Sequence, residues 1–169
     1  MISIKKAGIE SIPAIQELAQ ITWDNTYTAI ISEAQIKYML DLFYSNDSLM
    51  QQMQNGHQFI IAGEEGMPMG FASFSQKEEG NTAVYRLHKV YISPYRQEKG
   101  VGKTLLNFIV DEIKEMGALN LELNVNRFNK AIGFYKKLGF VITREEDIDI
   151  GNGYFMNDYV MNLSLDAYA

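Results

Sequence analysis

Between residues 95 and 106 the chain reads YRQEKGVGKTLL, with Gly100 and Gly102 set among Arg96, Lys99 and Lys103. Closely spaced glycines beside cations suit the gripping of a phosphate. The backbone can approach a ligand closely, and a helix starting there presents unpaired N–H groups and the positive end of its dipole. A nucleotide-hydrolase loop is excluded. That motif, G-x-x-x-x-G-K-[ST], is met by Gly102, Lys103 and Thr104 but needs glycine where Gln97 stands. The plain alternative is a glycine-tolerant turn ahead of a surface helix.

Other chemistry is limited by composition. The chain has no cysteine, so disulfides, thiolate metal sites and a cysteine nucleophile are out of reach. Two histidines, His57 and His88, leave little material for a metal site, and no metal is expected. All of the net charge of −6 sits in residues 1–80, where ten acids face four lysines. An acidic chain is a poor partner for nucleic acid, whose binding rests on phosphate neutralisation. The acid excess serves solubility or helps to attract a cation. No apolar run is long enough for a membrane span, and MISIKKAGIESIP has no apolar core of the signal-peptide kind. A soluble, cytoplasmic location is expected.

The elements that would carry these residues follow from periodicity. With 169 residues and no linker or repeat, the chain is expected to form a single domain over 1–169. A short strand at 2–6 precedes three helices: about 11–22, then Ser32 to about Tyr44 behind the capping box Ser32-Glu33-Ala34-Gln35, then one following Asn46-Asp47-Ser48 and ending at Asn55-Gly56. Strands are expected at 58–62, 68–76 and 83–92, a helix at about 101–116 ended by Gly117, and a strand at 119–125. A short helix stopped by Gly139 and two strands around Gly151-Asn152-Gly153 close the chain. This order predicts an α/β fold with a mixed sheet.

Two motifs in this frame belong together. Gln97-Glu98-Lys99-Gly100-Val101-Gly102, directly after LHKVYISPYR, resembles the pyrophosphate-binding Q-x-x-G-x-G motif of the GNAT superfamily of acetyl-CoA-dependent N-acetyltransferases. NKAIGFYKKLGF resembles that superfamily's second signature through Asn129, Ala131, Ile132, Phe134, Tyr135, Gly139 and Phe140. The resemblance covers about residues 83–141 and implies a GNAT-like fold: a mixed, mostly antiparallel central sheet of about seven strands flanked by helices. Within the superfamily, TWDNTYTAIISEAQIKYML and LHKVYISPYRQEKGVGKTLL are loosely similar to bacterial PaiA-type spermidine/spermine acetyltransferases.

The resemblance implies acetyl-CoA as cosubstrate and a small-molecule amine as acceptor, without nucleic acid or membrane, and it admits a homodimer. Gln97, Glu98, Lys99, Gly100, Val101, Gly102 and Lys103 would hold the pyrophosphate. Val90, Tyr91 and Ile92 would pair through their backbone with the pantetheine arm, their side chains being mostly core. Asn129 would touch the cofactor or cap the next helix, with Asn126 as competitor because one residue rather than two separates Asn129 from Ala131. Tyr135 would give a proton to the leaving thiolate; the alternative is a core tyrosine on the stripe Ala131, Tyr135, Leu138. Many members carry a glutamate base about where Arg86 or His88 stands; Arg86 cannot serve, while His88, Asp24, Tyr27 and a water chain stay open. Acetylation of a peptide or lysine, and acyl-CoA binding without catalysis, are the competing readings.

Overall fold

The computed structural model describes residues 1–96 and 100–167. The order of elements is β1 (Ser3–Ala7), a 3-10 turn (Ile9–Ser11), α1 (Ile12–Tyr27), α2 (Glu33–Tyr44), α3 (Asn46–Gln54), β2 (Gln58–Glu64), β3 (Met67–Gln76) and β4 (Val84–Ile92). There follow α4 (Val101–Glu115), β5 (Asn120–Asn126), α5 (Ala131–Lys137), β6 (Val141–Gly151), β7 (Tyr154–Ser164) and a 3-10 turn (Leu165–Ala167). The seven strands lie in the order β1-β2-β3-β4-β5-β7-β6. β4 and β5 are parallel, whereas β1–β2, β2–β3, β5–β7 and β6–β7 are antiparallel. The parallel pair needs a crossover, and α4 supplies it. This is the mixed, mostly antiparallel sheet expected from the sequence. Among the described residues no helix is long and apolar enough to cross a membrane.

The chain forms two compact units. The first comprises Met1–Ser75 and His88–Asp111. Its helix α1 runs through Tyr27, not to residue 22, because Trp23 and Tyr27 continue the buried stripe of Ile12, Ile15, Leu18 and Ala19. Ser32 Oγ accepts from Gln35 N at 3.1 Å and caps α2. For α3 the cap is Ser45, whose Oγ accepts from Ser48 N at 3.1 Å. Asn46, Asp47 and Ser48 therefore form the helix's first turn instead of preceding it. The β2–β3 hairpin turns at Glu65 and Gly66, with φ of 52° and 80°, the paired left-handed conformation that matches strand twist. Ile15, Leu49, Ile60, Phe71, Phe74, Leu105 and Ile109 make the core of this unit.

The second unit comprises Gln76–Leu87 and Glu112–Ala169. β5 lies between β4 and β7, pairing with Val84–Leu87 on one side and with Asp158–Ser164 on the other. α5 ends where Gly139 adopts φ of +105°, a left-handed stop that favours glycine. Leu121, Leu123, Val160, Met161, Leu163 and Phe140 are among its buried apolar residues. Its outer strand β6 is largely exposed.

Candidate active site

In the first unit, β4 leads to the glycine loop. Gly70 on β3 makes room for it: a Cβ there would lie 2.9 Å from Tyr91 O and 2.9 Å from Ile92 Cδ1. Ser93 N then donates to Met69 O at 2.8 Å, and Arg96 N to Ser93 O at 2.9 Å, turning the chain out of the strand. Val90, Tyr91 and Ile92 are half-buried, not core as expected. The Tyr91 ring lies tilted against Phe71 at 5.8 Å and Trp23 at 5.9 Å, and its hydroxyl lies 3.4 Å from that of Tyr27. The parallel β4–β5 ladder has its last pair at Leu87 and Leu123, so these three residues lie past it along β4.

Gln97, Glu98 and Lys99 lie outside the described residues. Beyond them Gly100 adopts φ of +72°, with no heavy atom within 4 Å of the place its Cβ would take. Thr104 N closes the first turn of α4 on Gly100 O at 3.1 Å, and Thr104 Oγ1 donates to the same carbonyl at 3.0 Å. Val101 and Gly102 are the first two residues of α4, where backbone amides have no acceptor within the helix itself. Val101 is buried and anchors the turn, whereas Lys103 is exposed and Arg96 half-buried. Open space and two cations at a helix start fit a pyrophosphate. A cavity of about 550 Å³ adjoins the loop, with Glu17 and Arg96 contributing opposite charges to its wall.

In the second unit, Asn129 and Asn126 hold the turn into α5. Asn129 Oδ1 accepts from Ala131 N at 2.8 Å, and Asn126 Oδ1 accepts from Phe128 N at 2.9 Å. The N-cap of α5 is Lys130, without a side-chain cap bond, so Asn129 braces the turn one residue ahead of the position expected for it. Tyr135 is buried at 7% exposure, edge-on to Phe134 at 5.4 Å and to Phe140 at 5.5 Å.

The open candidates for the base separate by environment. Asp24 is exposed and accepts from Gln20, whereas Tyr27 is buried 4.6 Å from the Trp23 ring. Arg86 donates to Asn124 Oδ1. His88 is half-buried: its Nε2 lies 2.7 Å from Ser75 Oγ, and its ring stacks on His57 at 4.0 Å and 4°. Burial, then the nearby Lys89 charge, holds His57 below the ordinary histidine range.

Two features were missed in the sequence. Lys89 is pushed down to about 8 by burial; its Nζ donates to Gln52 Oε1 at 2.8 Å and lies 5.3 Å from the Tyr44 ring centroid. The second is a polar layer on β5, β6 and β7. Glu122 pairs with Lys77 at 3.0 Å, and Arg144 stands 3.7 Å from its Oε1, too far for a hydrogen bond. Asn124 Nδ2 donates to Glu146 at 3.4 Å and to Asp158 at 3.3 Å. The alternation of LNLELNV marked the strand, but its polar side gathers buried carboxylates.

Comparison with known proteins agrees with the family resemblance. The model of the acetyltransferase (GNAT) domain matches residues 27–163. The chain is 31% identical over 161 residues to a spermidine N(1)-acetyltransferase of Thermoplasma acidophilum, covering 92% of this chain and 95% of that protein. It is 29% identical over 117 residues to an L-methionine sulfoximine/L-methionine sulfone acetyltransferase of Salmonella typhimurium, covering 68% of each. Its fold superposes with a TM-score of 0.81 on the PaiA N-acetyltransferase of Thermoplasma acidophilum solved with coenzyme A, at 28% identity and covering 97% of this chain and 99% of that one. With a domain model spanning most of its length and a full-length relative above 30% identity, the chain belongs to the GNAT acetyltransferase family.

Proposed function

We propose that this acetyl-CoA-dependent N-acetyltransferase, a single domain over residues 1–169, acetylates a primary amine of a small cationic acceptor, spermidine being the first to test. The observation that carries this is the 31% identity to a spermidine acetyltransferase along 92% of the chain. Acetyl-CoA supplies an acetyl group activated as a thioester. In this reading Val90, Tyr91 and Ile92 offer backbone groups to the pantetheine arm, supported by their place past the last β4–β5 pair. The amides of Val101 and Gly102, with Arg96 and Lys103, hold the pyrophosphate, and Gln97, Glu98 and Lys99 complete that loop. Asn129 shapes the start of α5. Tyr135 protonates the departing thiolate, a role that its motif supports and that a phenol's acidity allows.

An amino-acid acceptor is the second reading, favoured by the likeness to the methionine sulfoximine enzyme. Release of free thiol at saturating acetyl-CoA, measured over spermidine, L-methionine sulfoximine and a short peptide with a free α-amine, ranks these acceptors. Spermidine is expected to give the highest kcat/KM. A peptide or amino acid that outcompetes it at every salt concentration would end the polyamine reading and leave the acetyltransferase intact. The same assay at several protein concentrations, with sedimentation alongside, tests whether the active form is a homodimer.

A further inference from the structure

β1 pairs with β2 only as far as Ala7, opposite Phe59. The chain leaves the sheet at Gly8, whose N donates to Glu10 Oε1 at 3.3 Å. His57 and Gln58, just ahead of Phe59, therefore have no partner on β1. A cavity of about 310 Å³ lies at this corner, lined from β1, β2, β3, α3 and α4, all within the first unit. It shares no lining residue with the cavity beside the glycine loop. None of the residues that line it has a part in the acetyl transfer proposed above.

Most of the wall is apolar. Phe59 and Phe74 are buried, Phe108 and Met53 are half-buried, and Ile9 is 56% exposed. One polar atom breaks this pattern: His57 Nδ1 is buried and has no hydrogen-bond partner. Its ring is held in place by the stack on His88, itself tied to Ser75 Oγ at 2.7 Å. A buried nitrogen without a partner has lost its hydration for nothing in return. The charge around it has one sign. Lys6 lines the cavity and the Lys89 charge is felt at His57, whereas no acid is among the described residues of the wall. Glu10, in the adjoining turn, has its carboxylate on Gly8 N.

We propose that this cavity is a second small-molecule site and takes a small aromatic carboxylate, its ring among Phe59, Phe74 and Phe108 and its carboxylate on His57 Nδ1 beside Lys6. Each part of that ligand answers a feature of the wall. Aromatic side chains favour a flat ring packed edge-on or offset against them, and the flexible thioether of Met53 adapts to its outline. Burial and the Lys89 charge favour an uncharged His57, and a neutral imidazole with its hydrogen on Nδ1 donates to a carboxylate oxygen. Two cations nearby repel an amine and attract an anion. The volume lies at the lower end of small-molecule pockets, about 300–1,000 Å³, so the ligand is a metabolite of one or two rings. The site stands whichever amine the protein acetylates.

The test is calorimetric titration of the protein, alone and saturated with coenzyme A, with naphthoate and with its uncharged analogue naphthamide. Naphthoate should bind one to one, with the same Kd in both cases, and at least about tenfold more tightly than the amide. His57→Phe keeps a stacked ring and removes Nδ1; it should weaken naphthoate by about 10–100-fold, the range for a hydrogen bond to a charged group. Its Tm should be at or above that of wild type, since the unpartnered nitrogen is gone. Lys6→Gln, at an exposed position, should cost about two- to fivefold. Phe108→Trp should fill the cavity from α4 and abolish binding, and it decides the matter if His57→Phe does not fold. No saturable binding of naphthoate, its displacement by coenzyme A, or an affinity that His57→Phe and Phe108→Trp leave unchanged overturns the proposal. Naphthamide binding as tightly as naphthoate overturns it too, because apolar contact alone would then account for both.

Discussion

The two units bury different chemistry. In the first, the buried polar residues are hydroxyls, Ser11, Thr22, Ser73, Ser75 and Ser93, beside one deeply set ammonium, Lys89. In the second they are carboxylates, Glu122 and Asp158. Hydroxyls and glycines can hold an anion or a neutral chain without asking for a counter-charge, whereas an unpaired carboxylate asks for a cation. In the proposed reading the first unit binds the anionic cosubstrate and the second carries Tyr135. Total charge gives the opposite impression, because the first 80 residues carry the whole net negative charge.

Tyr135→Phe tests the second unit's part and should have the largest effect. In the proposed role the hydroxyl acts only on the departing thiolate, so kcat should fall by about 10²–10⁴ while acetyl-CoA affinity stays near wild type. Single-turnover kinetics with an acetyl-CoA titration separate the two. An unchanged kcat would return Tyr135 to the core it shares with Phe134 and Phe140. Gly102→Asp tests the first unit's part. A carboxylate at the second residue of α4 opposes the pyrophosphate, and acetyl-CoA affinity should drop roughly tenfold or more, about 1.4 kcal/mol per decade. Acetyl-CoA should then no longer raise the Tm as it does for wild type. A full wild-type shift would mean that the loop does not hold the pyrophosphate.

Much of this was legible in the sequence because the signals were local. Ser32 capping α2, Gly139 stopping α5 and the glycines around Gln97 declare themselves within a few residues. The extension of α1 to Tyr27 was hidden by the polar letters of TWDNTY, although Trp23 and Tyr27 stand four apart on the buried face. The carboxylate layer was not legible. Asn124, Glu146 and Asp158 come from three strands and meet only through the register of β5, β7 and β6. Lys89 shows the same limit, since nothing in KVYI says that Tyr44, Phe59 and Gln52 will enclose an ammonium.

Lys89 offers a sharper test of the first unit. Its folded pKa of about 8 lies below the ordinary 10.5, so the folded state binds fewer protons than the unfolded chain between those values. Stability from this residue should therefore rise with pH across that window. Below pH 8 the folded protein holds a buried charge at a cost. Lys89→Met should stabilise the protein at pH 7 by roughly 1–3 kcal/mol, with the gain shrinking toward pH 10.5. Urea unfolding at pH 7 and pH 10 reads this directly. A variant less stable than wild type at both pH values would show that the bond to Gln52 and the contacts with Tyr44 and Phe59 outweigh the burial of charge.

The smallest effect is expected from the acids that dominate the net charge. Nine of the ten acids in residues 1–80 are exposed, Glu64 being half-buried, and they are scattered over α1, α2, α3 and three turns. Charges held in water at such separations are screened within about 8 Å at physiological ionic strength. Neutralising Glu33, Asp41 and Asp47 together should thus change kcat/KM for spermidine by less than about twofold. The measurement is made at saturating acetyl-CoA, since the proposed contacts of Arg96 and Lys103 would make cosubstrate binding salt-sensitive as well. Glu33 and Asp47 occupy first turns of helices, so a small loss of Tm is expected from the dipole alone. A tenfold fall in kcat/KM that vanishes at high salt would reverse the comparison: the acidic surface of the first 80 residues would then be drawing the acceptor in.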